Sequence, residues 1–367
     1  GDSAASDALK KMTKANFVAG LSAGTSGINP NLVENGEFIV AQRGTVTSPG
    51  NGVYLTDRWK NWQTTGGAVT ITQDTSGIFA EWGTKTSMKI DVTTAEGSVA
   101  SGDRFIVVHP IEAQNLQHLK YGRSDAESVT ISFCFRSPKS GTHYVALWQA
   151  DGNRYIWRPF TVASADTAEY FSLTFAGDAS GTINNDTGLG MNLIFPLMAG
   201  TNFEAGSDNT WAADEKYGAA TIQNLLDNTS NNIYIGRVKM EVGTTATDFN
   251  FESYQTELHK CWRYFERWTF AANKWLSTAH ALSTTGAATP FWLRVEKRAA
   301  PTFAISDATG GDFFTGGGFS AMTDISADDL TKEGGRIFYS ISGGGLGQDE
   351  AVNARIDANN PIDWSAE

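Results

Sequence analysis

Aromatic rings beside hydrogen-bonding side chains are the densest chemistry in this chain. Around the turn ADGN stand Trp148, Gln149, Asp151, Asn153, Arg154, Tyr155 and Trp157. A flat ring offers an apolar surface to C–H groups, and its polar neighbours orient hydroxyls, which is what a sugar requires. A polar loop, FEAGSDNTWAADEKYG, repeats the combination with Trp211 beside Asp208, Asn209 and Asp214. Trp275 with Asn273 and Lys274 repeats it again near the C-terminal end. The competing reading of each is a strand-end or interface tryptophan. VYLTDRWKNW, Val53–Trp62, poses the same question. In an extended reading, Val53, Leu55, Asp57 and Trp59 share one face and Tyr54, Thr56 and Arg58 the other.

Catalytic spacing is missing. There is no H-E-x-x-H, G-x-S-x-G or Walker loop, and the five histidines show no metal-ligand spacing. The expectation is a non-enzyme with no cofactor. A structural Ca²⁺ held by Glu37 and Glu241 is a further candidate, opposed by Arg237 in the same late strand.

The elements that must position these residues are mostly strands. Runs such as GEFIVAQR, VTITQD, RFIVVHPI, HYVALWQA and MNLIFPLM recur between turn residues. In VTISFCFR, Val129, Ile131, Phe133 and Phe135 alternate against Thr130, Ser132, Cys134 and Arg136. SYQTELHKCWRYFERW instead places Leu258, Cys261, Trp262 and Phe265 at helical spacing. The fold class predicted is mainly β: a jelly-roll β-sandwich, a linking amphipathic helix and a small C-terminal β-domain. The divisions are an N-terminal neck at 1–30, with a helix capped by Ser6, the sandwich at 31–252, the helix at 253–270 and the small domain at 271–367. FWLRVEKRAAPTFAIS reads as two strands around Pro301, in a domain too small for a large core of its own.

The net charge is −12, and there is no long Lys/Arg run. That argues against nucleic acid as a partner. No apolar run is long enough to insert in a membrane. Two cysteines, Cys134 and Cys261, cannot build a disulfide framework and read as buried thiols.

Several motifs then fall in order: NPNLVENGEF, AQRGT, TDRW, IGRVKMEVGTTATDFNFE, ELHKCWRYFER and VEKRAAPT. The series resembles a family of bacteriophage tail-fibre and receptor-binding proteins with carbohydrate-binding-module-like jelly rolls. That resemblance implies a homotrimeric virion protein of the tail or head. It implies contact with other virion proteins through the N-terminal segment, and attachment to host surface polysaccharide. It also implies that the D-R-W core is structural, with Trp59 in the interior and Asp57 paired to Arg58. The alternatives are a virion decoration or adaptor without a receptor and, third, a polysaccharide-degrading tailspike.

Overall fold

The computed structural model describes residues 29–220, 222–270, 274–315, 318–356 and 360–367. The neck helix expected after Ser6 and the residue Asn273 lie outside them. The chain is mainly β: 46% of the described residues are strand and 7% helix.

Two six-stranded sheets form the sandwich. One runs β1 (Val46–Thr47), β4 (Ala68–Asp74), β5 (Ser87–Thr94), β12 (Asn232–Val242), β7 (Val129–Arg136), β10 (Ala168–Phe175). The other runs β2 (Tyr54–Thr56), β3 (Trp59–Thr64), β6 (Arg104–Glu112), β11 (Leu189–Ala199), β8 (Gly141–Gln149), β9 (Arg154–Val162). The alternation of β7 decides its orientation: Ile131, Phe133 and Phe135 enter the core between the sheets, where they meet Phe160, Phe171 and Phe195. Cys134 and Cys261 are both buried and unpaired.

Helix α1 covers only Tyr254–Trp262, capped by Ser253, whose hydroxyl accepts from Thr256 N. The helical spacing predicted Phe265 on the same helix. It lies instead on β13 (Phe265–Trp268), paired with β21 (Ile362–Ser365). In β13 Phe265 shares a face with Arg267 and Trp268 with Glu266, and the ladder to β21 overrides the helical spacing.

After β13 the chain closes a six-stranded barrel, β14 (Lys274–Ala281), β15 (Gly286–Trp292), β19 (Gly334–Ile341), β18 (Gly318–Asp328), β17 (Gly311–Thr315), β20 (Ala351–Ile356). β16 (Thr302–Ile305) pairs with the far side of β21. The barrel has its own hydrophobic cluster around Phe313, Ile325, Ile337 and Tyr339. Closure removes the exposed edges that a small open sheet would present. The expected strand through Val295–Lys297 is absent; Lys297 turns inward there and is fully buried.

The ordered motifs meet at one junction. Asn31 donates to Val238 O and accepts from Met240 N, and Asn35 donates to Asp57 O. The Asp57 carboxylate accepts from Gln42 N at 2.7 Å and from its side chain at 2.6 Å. Glu257 of α1 accepts from Asn35 N. Asp57 and Arg58 are not partners. They form the two-residue turn between β2 and β3, with Arg58 at φ 73°, and so face different ways. Arg58 donates to Pro110 O, lies 3.5 Å from Glu34 and stacks over Tyr264. Trp59 is fully buried against Phe38, His109 and Phe195.

Gly36 is required at this junction. A Cβ there would sit 2.1 Å from Val238 O, a backbone atom that cannot yield without moving β12. Gly36→Ala is expected to cost about 1–3 kcal/mol or more, as overpacking does. A lower urea midpoint at unchanged slope would show it.

Candidate binding face

β-strand parity sends one set of side chains from the second sheet into the core and the other set outward. The outward set forms two adjoining rows. Lys60, Val108, Ile194, Ala146 and Trp157 stand in register across β3, β6, β11, β8 and β9. Pro110, Asn192, Trp148 and Tyr155 stand in register beside them. A loop over residues 200–220 caps the far half of this face. It places Tyr217 and Phe203 over the sheet and bridges Ala212 to Tyr155.

Trp62 and Trp148 remain half-buried at the margin of this cap. Their rings meet edge to face at 5.5 Å, and Trp148 stacks on Tyr155 at 5.8 Å and 13°. The Trp148 Nε1–H donates to Asn153 Oδ1 at 3.1 Å, which fixes the ring. Between Pro110 and Trp148, Asn192 is fully buried, and neither its Oδ1 nor its Nδ2 has a partner. A buried amide with a free donor and a free acceptor is costly unless something satisfies it.

Along the same face, beyond Lys60 and Pro110, opens a cavity of about 230 Å³. Tyr54, Arg58, Glu112, Tyr264, Arg298 and Glu367 complete its wall. Burial works against ionisation of Glu112, but the two-pronged Arg263 contact at 2.7 and 3.0 Å holds its carboxyl below the ordinary range. Burial pushes Glu367 up to about 7 despite its contact with Arg43. Burial also lowers the Lys60 ammonium.

The residues expected from sequence divide among several surroundings. Trp148, Asn153 and Tyr155 come together as described. Trp157 shares their face but is buried under the capping loop, its Nε1–H donating to Ala205 O. Gln149 has the parity of the core-facing residues and is fully buried. Asp151 is exposed at the turn and accepts from Asn184 N and Nδ2.

The Trp211 group is engaged within the protein. Its indole donates to Ala176 O and packs edge-on against Tyr121. Asn209 Oδ1 accepts from Ala176 N, and Asp208 lies 2.9 Å from Arg158.

Trp275 is 53% exposed on the barrel, beside Phe314 at 40% and Phe319 at 54%. Arg355 lies over the Phe319 ring, 4.2 Å from its centre.

The two calcium candidates have other partners. Glu241 is fully buried with Lys239 and Thr247, and Glu37 accepts from Thr84. Among the described residues no three His, Cys, Asp or Glu side chains gather as a metal site would need. No described helix is long and apolar enough to cross a membrane.

Lys60 and Asn192 were missed by motif reading. Asn192 had a signal, as the only polar residue in the run MNLIFPLM. Lys60 had none beyond its place between two aromatics.

No family model matches the chain, and no curated protein matches it. Among solved structures, the enzymatically active domain of bacteriophage CBA120 tailspike protein 4 is 12% identical over 58% of this chain, with a TM-score of 0.32. The chain spans 21% of that tailspike's length. A family 11 carbohydrate-binding module of Clostridium thermocellum, in complex with a β-1,3-1,4-mixed-linked tetrasaccharide, is 13% identical over 56% of this chain and 98% of its own, with a TM-score of 0.28. Likenesses this distant decide nothing about activity.

Proposed function

We propose that the protein is a phage virion fibre component that attaches to host cell-surface glycans through the outer face of its second sheet, without cleaving them. The observation that carries this reading is the half-open pair Trp62–Trp148. The rings provide stacking area for the C–H face of a sugar, and Asn153, which holds the Trp148 ring in place, is the polar neighbour beside them. The working form is a homotrimer joined to other virion proteins through its N-terminal segment. Three weak sites on one fibre, and several fibres on one particle, raise avidity by orders of magnitude without a new contact.

The test is adsorption of particles carrying Trp148→Ala to host cells. Loss of adsorption with unchanged oligomer size and melting is the expected result. Unchanged adsorption removes this face from the attachment role.

The second reading is a virion decoration or adaptor without a receptor. The Trp275, Phe314 and Phe319 cluster favours it, because exposed apolar patches commonly mark protein contacts. Trp275→Ala separates the two: dissociation of the oligomer or loss from the particle supports the second reading.

A further inference from the structure

The cavity beside Lys60 has a charge balance that the aromatic face does not require. Its acids are engaged: Glu112 by Arg263, and Glu367 by Arg43. Its cations are not all compensated. Arg298 donates to two backbone carbonyls, Ala366 O at 2.9 Å and Thr187 O at 3.0 Å. Among the described residues neither Arg298 nor Lys60 has a carboxylate within salt-bridge distance. Lys60 instead lies between two rings, 5.4 Å from the centre of Tyr54 and 5.5 Å from that of Trp62. Arg58, fully enclosed in the same wall, already has Glu34 as its counter-ion at 3.5 Å, which leaves Lys60 and Arg298 as the cations without one. Half-buried cations without counter-ions are unusual in a chain of net charge −12 and attract an anion.

The size of the cavity narrows the anion. About 230 Å³ is below the ~300–1,000 Å³ typical of drug-sized ligands and suits a single ring. Tyr54 and Tyr264 in the wall add apolar surface that a bare inorganic ion would not use. Lys60 belongs to this wall and also lies against Trp62, whose ring meets Trp148, so one chain of sugars can occupy cavity and face together.

Resting on the glycan-binding reading, we propose that the cavity is an acidic-sugar subsite. It takes a carboxylate-bearing sugar residue against Lys60 and Arg298 while the neighbouring residues of the glycan cross Trp62 and Trp148. The host polymer recognised is therefore a uronic-acid-type or similarly carboxylated polysaccharide rather than a neutral one.

The experiment is calorimetric titration of the intact protein with glucuronate, glucose and glucose 6-phosphate, repeated with Lys60→Gln and Lys60→Arg. Lys60 is half-exposed, so both variants should fold, and circular dichroism checks this. Glucuronate should bind about tenfold or more tightly than glucose, as a charge-assisted hydrogen bond allows. Lys60→Gln should abolish that preference and Lys60→Arg should retain it. Equal binding of glucuronate and glucose, or binding of neither, overturns the proposal. Glucose 6-phosphate binding more tightly than glucuronate overturns the carboxylate assignment in favour of a phosphorylated glycan. A failure here with a positive Trp148→Ala adsorption result leaves glycan attachment standing and removes only the acidic subsite.

Discussion

Glu266→Ala lowers the unfolding free energy by about 3–5 kcal/mol at neutral pH, the usual consequence of leaving one member of a buried ion pair behind. Glu266 and Lys297 are both fully buried, 2.8 Å apart, at the joint between α1, β13 and the barrel. The Lys297 ammonium also donates to Trp262 O, and Glu266 accepts from Trp268 Nε1 at 2.7 Å. Burial already lowers the Lys297 ammonium in the intact protein, against the pull of Glu266. Without Glu266 its pKa falls further, while in the unfolded chain it stays near the ordinary value of about 10.4. Between that lowered pKa and ~10 the unfolded state binds the extra proton, so the penalty is full below the lowered pKa and shrinks as pH rises towards ~10.

Removing both charges together, as in Glu266→Leu with Lys297→Met, is expected to cost less than Glu266→Ala alone. Urea unfolding of the single and double variants at pH 7 and pH 9 checks both statements. A loss under about 1 kcal/mol for Glu266→Ala at pH 7 would mean that the joint is open to water.

This joint also shows what can be read in a chain of this kind. The sandwich was legible because long strands with one buried face write a period of two into the sequence, as in β7. The C-terminal unit was legible as a small β-domain but not as a closed barrel, because small residues such as Ala279, Ala281, Ala287 and Ala354 line much of it. Small residues fill a narrow barrel well but leave a faint hydrophobic pattern. The Asp57–Arg58 turn was hidden for another reason. Two-residue hairpin turns usually advertise themselves with Gly or Asn. Here a left-handed arginine is held by Pro110 O and the Tyr264 ring, contacts that exist only after the chain has folded.

The candidate site was half-visible on the same grounds. Trp148 beside a polar turn was plain in the sequence. Tryptophans such as Trp211 and Trp157 look alike in sequence, and only the loop that covers them decides their role. Trp62 lies on a different strand from Trp148, and only the β3–β6–β11–β8 pairing brings the two together.

The two tryptophans of VYLTDRWKNW are therefore expected to part company. Trp59 points into the sandwich, fully buried, with its Nε1–H donating to Asn35 O. Trp59→Ala is expected to cost about 3–5 kcal/mol, as large cavities in aromatic cores do. It also frees a carbonyl in the segment that locks β12. Trp62, three residues on, points to the outer face and is half-buried beside Trp148. Its replacement by alanine should change stability by only about 1 kcal/mol.

Binding should respond in the opposite sense. A tryptophan at the centre of a recognition surface is commonly worth about 2 kcal/mol, roughly thirtyfold in affinity. Measuring melting and host-cell adsorption on both variants therefore assigns each ring. Trp59→Ala should melt early, with adsorption lost through unfolding; Trp62→Ala should melt normally and still fail to adsorb. If Trp62→Ala instead unfolds the protein, its ring belongs to the interior and the outer face loses half its stacking surface. If it melts and adsorbs normally, contact with the host has passed to the exposed rings of the barrel, where Trp275 becomes the residue to change.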